Sequence, residues 1–155
     1  MPTVKTMETE VKEVTREQLI KGLNEDLAHE YQAILMYTTY AAMANGIHRP
    51  LLKEFFEGEI PEELRHAQFL ANKITALGGL PTTKPAPVKL VESNRAMLEE
   101  VLKAEEETIA RYVQRRNQAE AFGDYGLVND LEEIISDETR HKEETEKLLR
   151  GMTEH

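Results

Sequence analysis

The chain has 155 residues, with 29 Asp and Glu against 19 Lys and Arg for a net charge of −10, and it contains no cysteine. That length fits one domain with a sizeable core, and the absence of cysteine excludes disulfides, thiolate metal sites and iron–sulfur ligation. The acidic balance repels nucleic acid and anionic lipid and attracts cations. No apolar run approaches the roughly 18 residues of a membrane span. Met1–Val14 mixes Lys, Thr and Glu without a hydrophobic stretch, so no secretory signal is expected. The predicted location is the cytoplasm, with no membrane or nucleic-acid partner.

The predicted elements are all helical. Thr15, with Gln18 three residues on, reads as a capping box that opens a first helix. Its apolar stripe, Leu19, Leu23, Leu27, Ile34, Tyr37 and Ala41, follows the three- and four-residue steps of one helix face. Asn45–Arg49 is a short turn, and Pro50 suits the first turn of a second helix. That helix carries Leu52, Phe56, Leu70, Ile74 and Leu77 and stops at Gly78-Gly79. Pro61 inside it predicts a restart, a kink or a bulge.

Residues 80–92 are Pro-rich and read as an extended crossover. A third helix starts near Ser93 with Met97, Leu98, Leu102, Ile109, Tyr112 and Ala119 on its stripe. Gly123 then stops it and Asp124 caps a fourth, which runs through Leu127, Leu131, Ile134, Ile135, Leu148 and Leu149 and is expected to end at Gly151. Two helical hairpins joined by one long connection make an all-α, antiparallel four-helix bundle. The domain plan is a flexible tail over 1–14 and the bundle over 15–151.

Chemistry is concentrated in two Glu-x-x-His pairs, Glu63/His66 and Glu138/His141, each with a Glu 33 residues upstream, Glu30 and Glu105. In antiparallel helices, residues equidistant from the turn lie level. Glu30 and Glu63 centre on 46.5, inside the first turn, and Glu105 and Glu138 on 121.5, beside Gly123. Each pair therefore sits roughly 25 Å down its hairpin at about 1.5 Å per residue. All six residues interrupt an apolar face. Glu106, the rival to Glu105, lies a further turn of about 100° round the helix and ranks second.

Four buried carboxylates would oppose one another's ionisation, and two divalent cations cancel that charge. Glu and His without thiolate suit iron or manganese. Glu63 and Glu138 are then expected to bridge two metals, with Glu30 and Glu105 terminal on opposite ones and one His on each. Glu59, one turn before Glu63, is a candidate extra metal or ion-entry carboxylate. His29, His48 and His155 are assigned nothing.

These residues give the chain its resemblance to a known family. Glu30-Tyr31-Gln32-Ala33-Ile34-Leu35-Met36-Tyr37, Glu62-Glu63-Leu64-Arg65-His66-Ala67 and Asp137-Glu138-Thr139-Arg140-His141 resemble the ferritin-like superfamily, and within it bacterioferritins and bacterioferritin-like mini-ferritins. The likeness covers about residues 16–150. It implies that Glu30, Glu63, His66, Glu105, Glu138 and His141 hold two iron ions per chain, manganese being the alternative, and that Tyr37 is a catalytic tyrosine beside the centre. Bacterioferritins bind haem through a methionine directly after the second-helix Glu; here that residue is Leu64, so no haem is expected. Only 14 residues follow His141, too few for the fifth helix of the larger cages, so a dodecamer or a dimer is expected.

The implied function is a ferroxidase that oxidises Fe(II) with O2 or peroxide, for iron storage or detoxification in a protein cage. The alternative is a non-storage dinuclear redox enzyme, peroxide-reducing or manganese catalase-like. A metal-free helical scaffold is the third reading.

Overall fold

A computed structural model describes residues 13–152. Four helices of nearly equal length follow one another: α1 (Arg16–Met43), α2 (Arg49–Ala76), α3 (Asn94–Phe122) and α4 (Tyr125–Met152). Most of the tail expected over 1–14 lies outside the described residues. No strand occurs among the described residues, and none of the helices there is long and apolar enough to cross a membrane.

The helix ends follow from local chemistry. Thr15 and Gln18 form both halves of a capping box. Arg49 turns its guanidinium back onto the last carbonyls of α1, at Ala42 (2.9 Å), Ala41 and Ala44, supplying donors that the helix end lacks. Ser93 caps α3 through the Ala96 N–H at 3.0 Å. Gly123 takes the left-handed conformation (φ 94°) that closes α3, and Asp124 at once caps α4 through the Leu127 N–H.

Two expectations are corrected. Helix α2 is one continuous α-helix through Pro61, with neither a restart nor a π-bulge there. Proline removes its own N–H bond and crowds the Glu57 carbonyl four residues earlier, and buried anchors on both sides, Phe56 and Glu63, hold the helix in place against that cost. Gly151 does not end α4, which continues to Met152; a glycine lowers helix propensity by about 1 kcal/mol without forbidding the conformation.

Helix α1 packs on α2, α3 on α4, and the two hairpins join through α1 and α3. The crossover is laced along α1. Asn24 holds Leu80 O and Thr82 N, Ala28 O accepts from Ala86 N, Gln32 bonds Pro87 O, and Tyr40 bonds Lys89 O. A buried ion pair fixes the register of α1 against α3: Arg115 donates to Asp26 at 2.8 and 3.2 Å.

The core divides into two apolar clusters. One gathers Leu19, Leu23, Leu27, Leu70, Ile74, Leu127 and Leu131; the other gathers Met36, Tyr40, Phe56, Met97, Leu98, Val101 and Leu149. On every helix the residues between the two clusters are the polar ones singled out above: Glu30, Glu63 with His66, Glu105, and Glu138 with His141.

Candidate metal centre

All six predicted residues are buried and meet in that middle layer, whereas Glu106 is exposed. The three-residue step puts Glu63 and His66 on adjacent rungs of one face of α2, and Glu138 and His141 likewise on α4. His66 Nδ1 lies 3.4 Å from Glu138 Oε1, 3.7 Å from Glu30 Oε1 and 3.9 Å from Glu63 Oε2. His141 Nδ1 lies 3.5 Å from Glu63 Oε1 and 3.8 Å from Glu138 Oε2. Glu63 and Glu138 thus each turn one oxygen toward either imidazole, so that each would be able to hold a cation on both sides. Glu30 completes the group around His66, and Glu105 the group around His141.

The outer nitrogens are braced across the α2–α4 seam. His66 Nε2 faces Asp137 Oδ2 at 3.4 Å. His141 Nε2 faces Glu62 Oε2 at 2.6 Å and Glu59 Oε2 at 2.7 Å. The acidic residue just before each central Glu therefore braces the His of the opposite helix. With its outer N–H given to a carboxylate, each ring presents Nδ1 to the interior.

What the layer lacks is internal satisfaction. Glu30 Oε2, Glu63 Oε1, Glu105 Oε2, Glu138 Oε1 and Nδ1 of both His66 and His141 are buried without a hydrogen-bond partner. Buried polar groups are ordinarily bonded. Six such atoms converging on one layer, from residue types that bind iron and manganese, fit a pair of divalent cations.

The electrostatics agree. Burial, then the charges of Glu30 and Glu138, pushes the Glu63 carboxyl well up. Glu105 is pushed up to about 8, mainly by burial, against the Thr145 hydrogen bond. Burial alone would raise Glu138 as well, but hydrogen bonds from His141 and His66 reverse it and hold that group ionised. Burial would lower both imidazoles; the carboxylates around them prevail and raise His66 to about 10 and His141 further. The layer balances its charge with protons, and cations would take their place.

Tyr37 is buried against Phe56 and lines the same enclosure as Glu30, Glu63, Glu105 and Glu138, but its hydroxyl bonds none of these carboxylates. That bond is made by Tyr112, which sequence reasoning placed in the core: its hydroxyl donates to Glu30 Oε1 at 2.5 Å. Thr145 does the same for Glu105 Oε1 at 2.6 Å. Glu62, Asp137 and Tyr112 carried one available signal, whereas Thr145 carried none. Adding 75 to a residue number takes Glu30, Tyr37, Glu63 and His66 onto Glu105, Tyr112, Glu138 and His141, and Glu62 onto Asp137. Leu64 is half-exposed on α2, on the far side from this layer.

An antiparallel four-helix bundle with a long crossover and a buried carboxylate–histidine layer defines a class of helical proteins able to hold metal between their hairpins. The ferritin-like domain model matches residues 20–154, and the chain belongs to that family. It is 52% identical to a ferritin-like, diiron-carboxylate protein from Bacillus anthracis, over 86% of this chain and 96% of that one, with a TM-score of 0.85. It is 28% identical to a bacterioferritin of Brucella melitensis over 80% of this chain and 78% of the relative. The fold is also that of a dodecameric thioferritin, the bacterioferritin-related protein from Bacteroides fragilis, at 23% identity and a TM-score of 0.82, over 90% and 89% of the two chains.

Proposed function

We propose that Glu30, Glu63, His66, Glu105, Glu138 and His141 hold two metal ions and that the protein oxidises Fe(II), with O2 or peroxide as acceptor, to store or detoxify iron. The observation that carries this reading is the set of buried, unpartnered oxygens and Nδ1 atoms converging between the hairpins. Glu63 and Glu138 would bridge, Glu30 and Glu105 would be terminal, and one imidazole would serve each ion. Iron supplies the electrons when bound; the carboxylates hold the charge and the protein excludes water. Tyr37, kept protonated by burial and the surrounding carboxylates, would serve as the catalytic tyrosine beside the centre.

Membership of a family with diiron-carboxylate and bacterioferritin relatives supports iron over manganese. A homo-oligomer in the cytoplasm is the natural setting, and the dodecameric relative favours a cage over a dimer. The test is to load metal-free protein anaerobically with Fe(II), add O2 or peroxide, and follow ferric absorbance against Glu63→Ala. Rapid oxidation that saturates with the centre and is absent from the variant supports the reading; a rate equal to that in buffer overturns it.

A further inference from the structure

Tyr37, Tyr40 and Tyr112 all lie buried in the core, and they differ in what receives the hydroxyl proton. Tyr40 donates to a backbone carbonyl, that of Lys89 in the crossover. Tyr37 lines the enclosure of the centre but donates to none of its carboxylates. Tyr112 donates to Glu30 Oε1 at 2.5 Å, and the same oxygen stands 3.7 Å from His66 Nδ1. Phenol, carboxylate and imidazole thus follow one another from α3 through α1 to α2.

This contact decides which tyrosine can take part in electron transfer. A phenol is protonated at neutral pH, and loss of an electron makes its O–H proton strongly acidic. Leaving that positive charge on a buried ring is costly. A buried tyrosine therefore gives up an electron readily only where a base within hydrogen-bond reach takes the proton. A carboxylate is such a base, and a peptide carbonyl is a far weaker one. Of the three tyrosines, Tyr112 alone donates to a carboxylate, and that carboxylate belongs to the candidate centre.

Resting on the function proposed above, we propose that Tyr112 is a redox-active residue that supplies the second electron when peroxide meets a centre holding a single Fe(II). Peroxide needs two electrons and two protons to become two waters. One electron comes from Fe(II), which becomes Fe(III). The other comes from Tyr112, whose O–H bond breaks to leave a neutral phenoxyl radical. The phenolic proton passes along the existing hydrogen bond to Glu30 Oε1, and the two protons for water come from solvent. Without this second electron, one-electron reduction would split peroxide into hydroxide and a free hydroxyl radical. When two Fe(II) are present, iron supplies both electrons and the tyrosine stays reduced.

The test loads the full-length, metal-free protein anaerobically with one Fe(II) per chain, adds hydrogen peroxide, freezes the mixture and records electron paramagnetic resonance. Wild type and Tyr37→Phe should show a tyrosyl signal that narrows with ring-deuterated tyrosine, and Tyr112→Phe should lose it and release hydroxyl radical to a spin trap. Placing 3-fluorotyrosine at position 112 alone keeps the hydroxyl and the packing, and the radical should then show coupling to fluorine. That second measurement carries the test if Tyr112→Phe fails to fold. A signal that survives in Tyr112→Phe, is lost in Tyr37→Phe, or shows no fluorine coupling overturns the role. Iron oxidised by peroxide at the centre with no tyrosyl radical overturns the role and leaves the proposed function standing. Iron oxidised no faster than in buffer overturns both.

Discussion

Gly22 offers a test in which two physical effects act with opposite sign. It lies inside α1, where replacing glycine by alanine ordinarily stabilises by about 1 kcal/mol. Here the new Cβ would stand 1.7 Å from Arg115 Nη1 and 2.1 Å from its Cζ, because the guanidinium lies directly over the glycine. Arg115 would have to leave. The guanidinium is the end of a flexible side chain, but it is tied to Asp26 and Gln118 and buried, so its departure strands Asp26 inside. Breaking a buried pair by removing one partner costs about 3–5 kcal/mol, and subtracting the propensity gain leaves Gly22→Ala destabilising by about 2–4 kcal/mol. The assay is thermal and urea unfolding of the metal-free proteins at matched concentration, since assembly makes apparent stability concentration-dependent. The control repeats Gly22→Ala in an Asp26→Leu/Arg115→Leu background, where the substitution should be neutral or stabilising. Equal effects in both backgrounds, or a stabilised single variant, would refute the reasoning.

Three further outcomes follow from the centre and its supports. Because His66, His141, Glu63 and Glu105 hold protons above their ordinary ranges, Zn(II) uptake at neutral pH should release protons and tighten as pH rises toward about 10; calorimetry in buffers of different ionisation enthalpy detects this, and uptake without proton release contradicts it. Glu62→Gln and Asp137→Asn keep shape but weaken the brace on the opposite imidazole, so each should weaken divalent-cation binding by about 10–100-fold in a competition titration, and unchanged affinity would deny the brace a role. Asp124→Ala should lose about 1 kcal/mol at neutral pH from the missing cap of α4. Burial alone would raise that carboxyl, but Lys73 and the Leu127 N–H lower it, so it stays ionised in the fold below the pH at which the unfolded chain protonates. The wild-type advantage should therefore be full above about pH 4 and fade as pH falls through the lowered value; a pH-independent difference would remove the ionic contribution.

The backbone plan and the six central residues were legible because their signals are periodic and repeated. A Glu-x-x-His pair means little alone. Repeated at one spacing, level across each turn and set within apolar stripes, it specifies a layer. The supports were illegible for definite reasons. Tyr112 falls on the apolar stripe of α3, where a tyrosine reads as core, and nothing local says that its hydroxyl meets a residue 82 positions away. Glu62 and Asp137 sit one residue off the buried face and read as solvated acids until the opposite helix brings an imidazole to them. The Asp26–Arg115 pair joins residues 89 apart and leaves no periodic trace. Pro61 misled because helix propensity is local, whereas α2 is held by packing on both sides of the proline.

The placement of the polar layer bears on how such a centre can work. A site whose metal supplies the folding energy loses its structure when the metal leaves, as small zinc domains do. Here an apolar cluster lies on either side of the layer, each drawing on all four helices. The lacing of the crossover along α1 and the Asp26–Arg115 pair add ties independent of the six residues. Protons on Glu63, Glu105 and the imidazoles balance the layer's charge when no cation does. Metal arrival would then exchange one set of positive charges for another within a frame that is already assembled. On the function proposed above the metal would also be the substrate, and this separation would then be necessary, because a turnover that sent iron onward would otherwise dismantle the bundle that must receive the next ions.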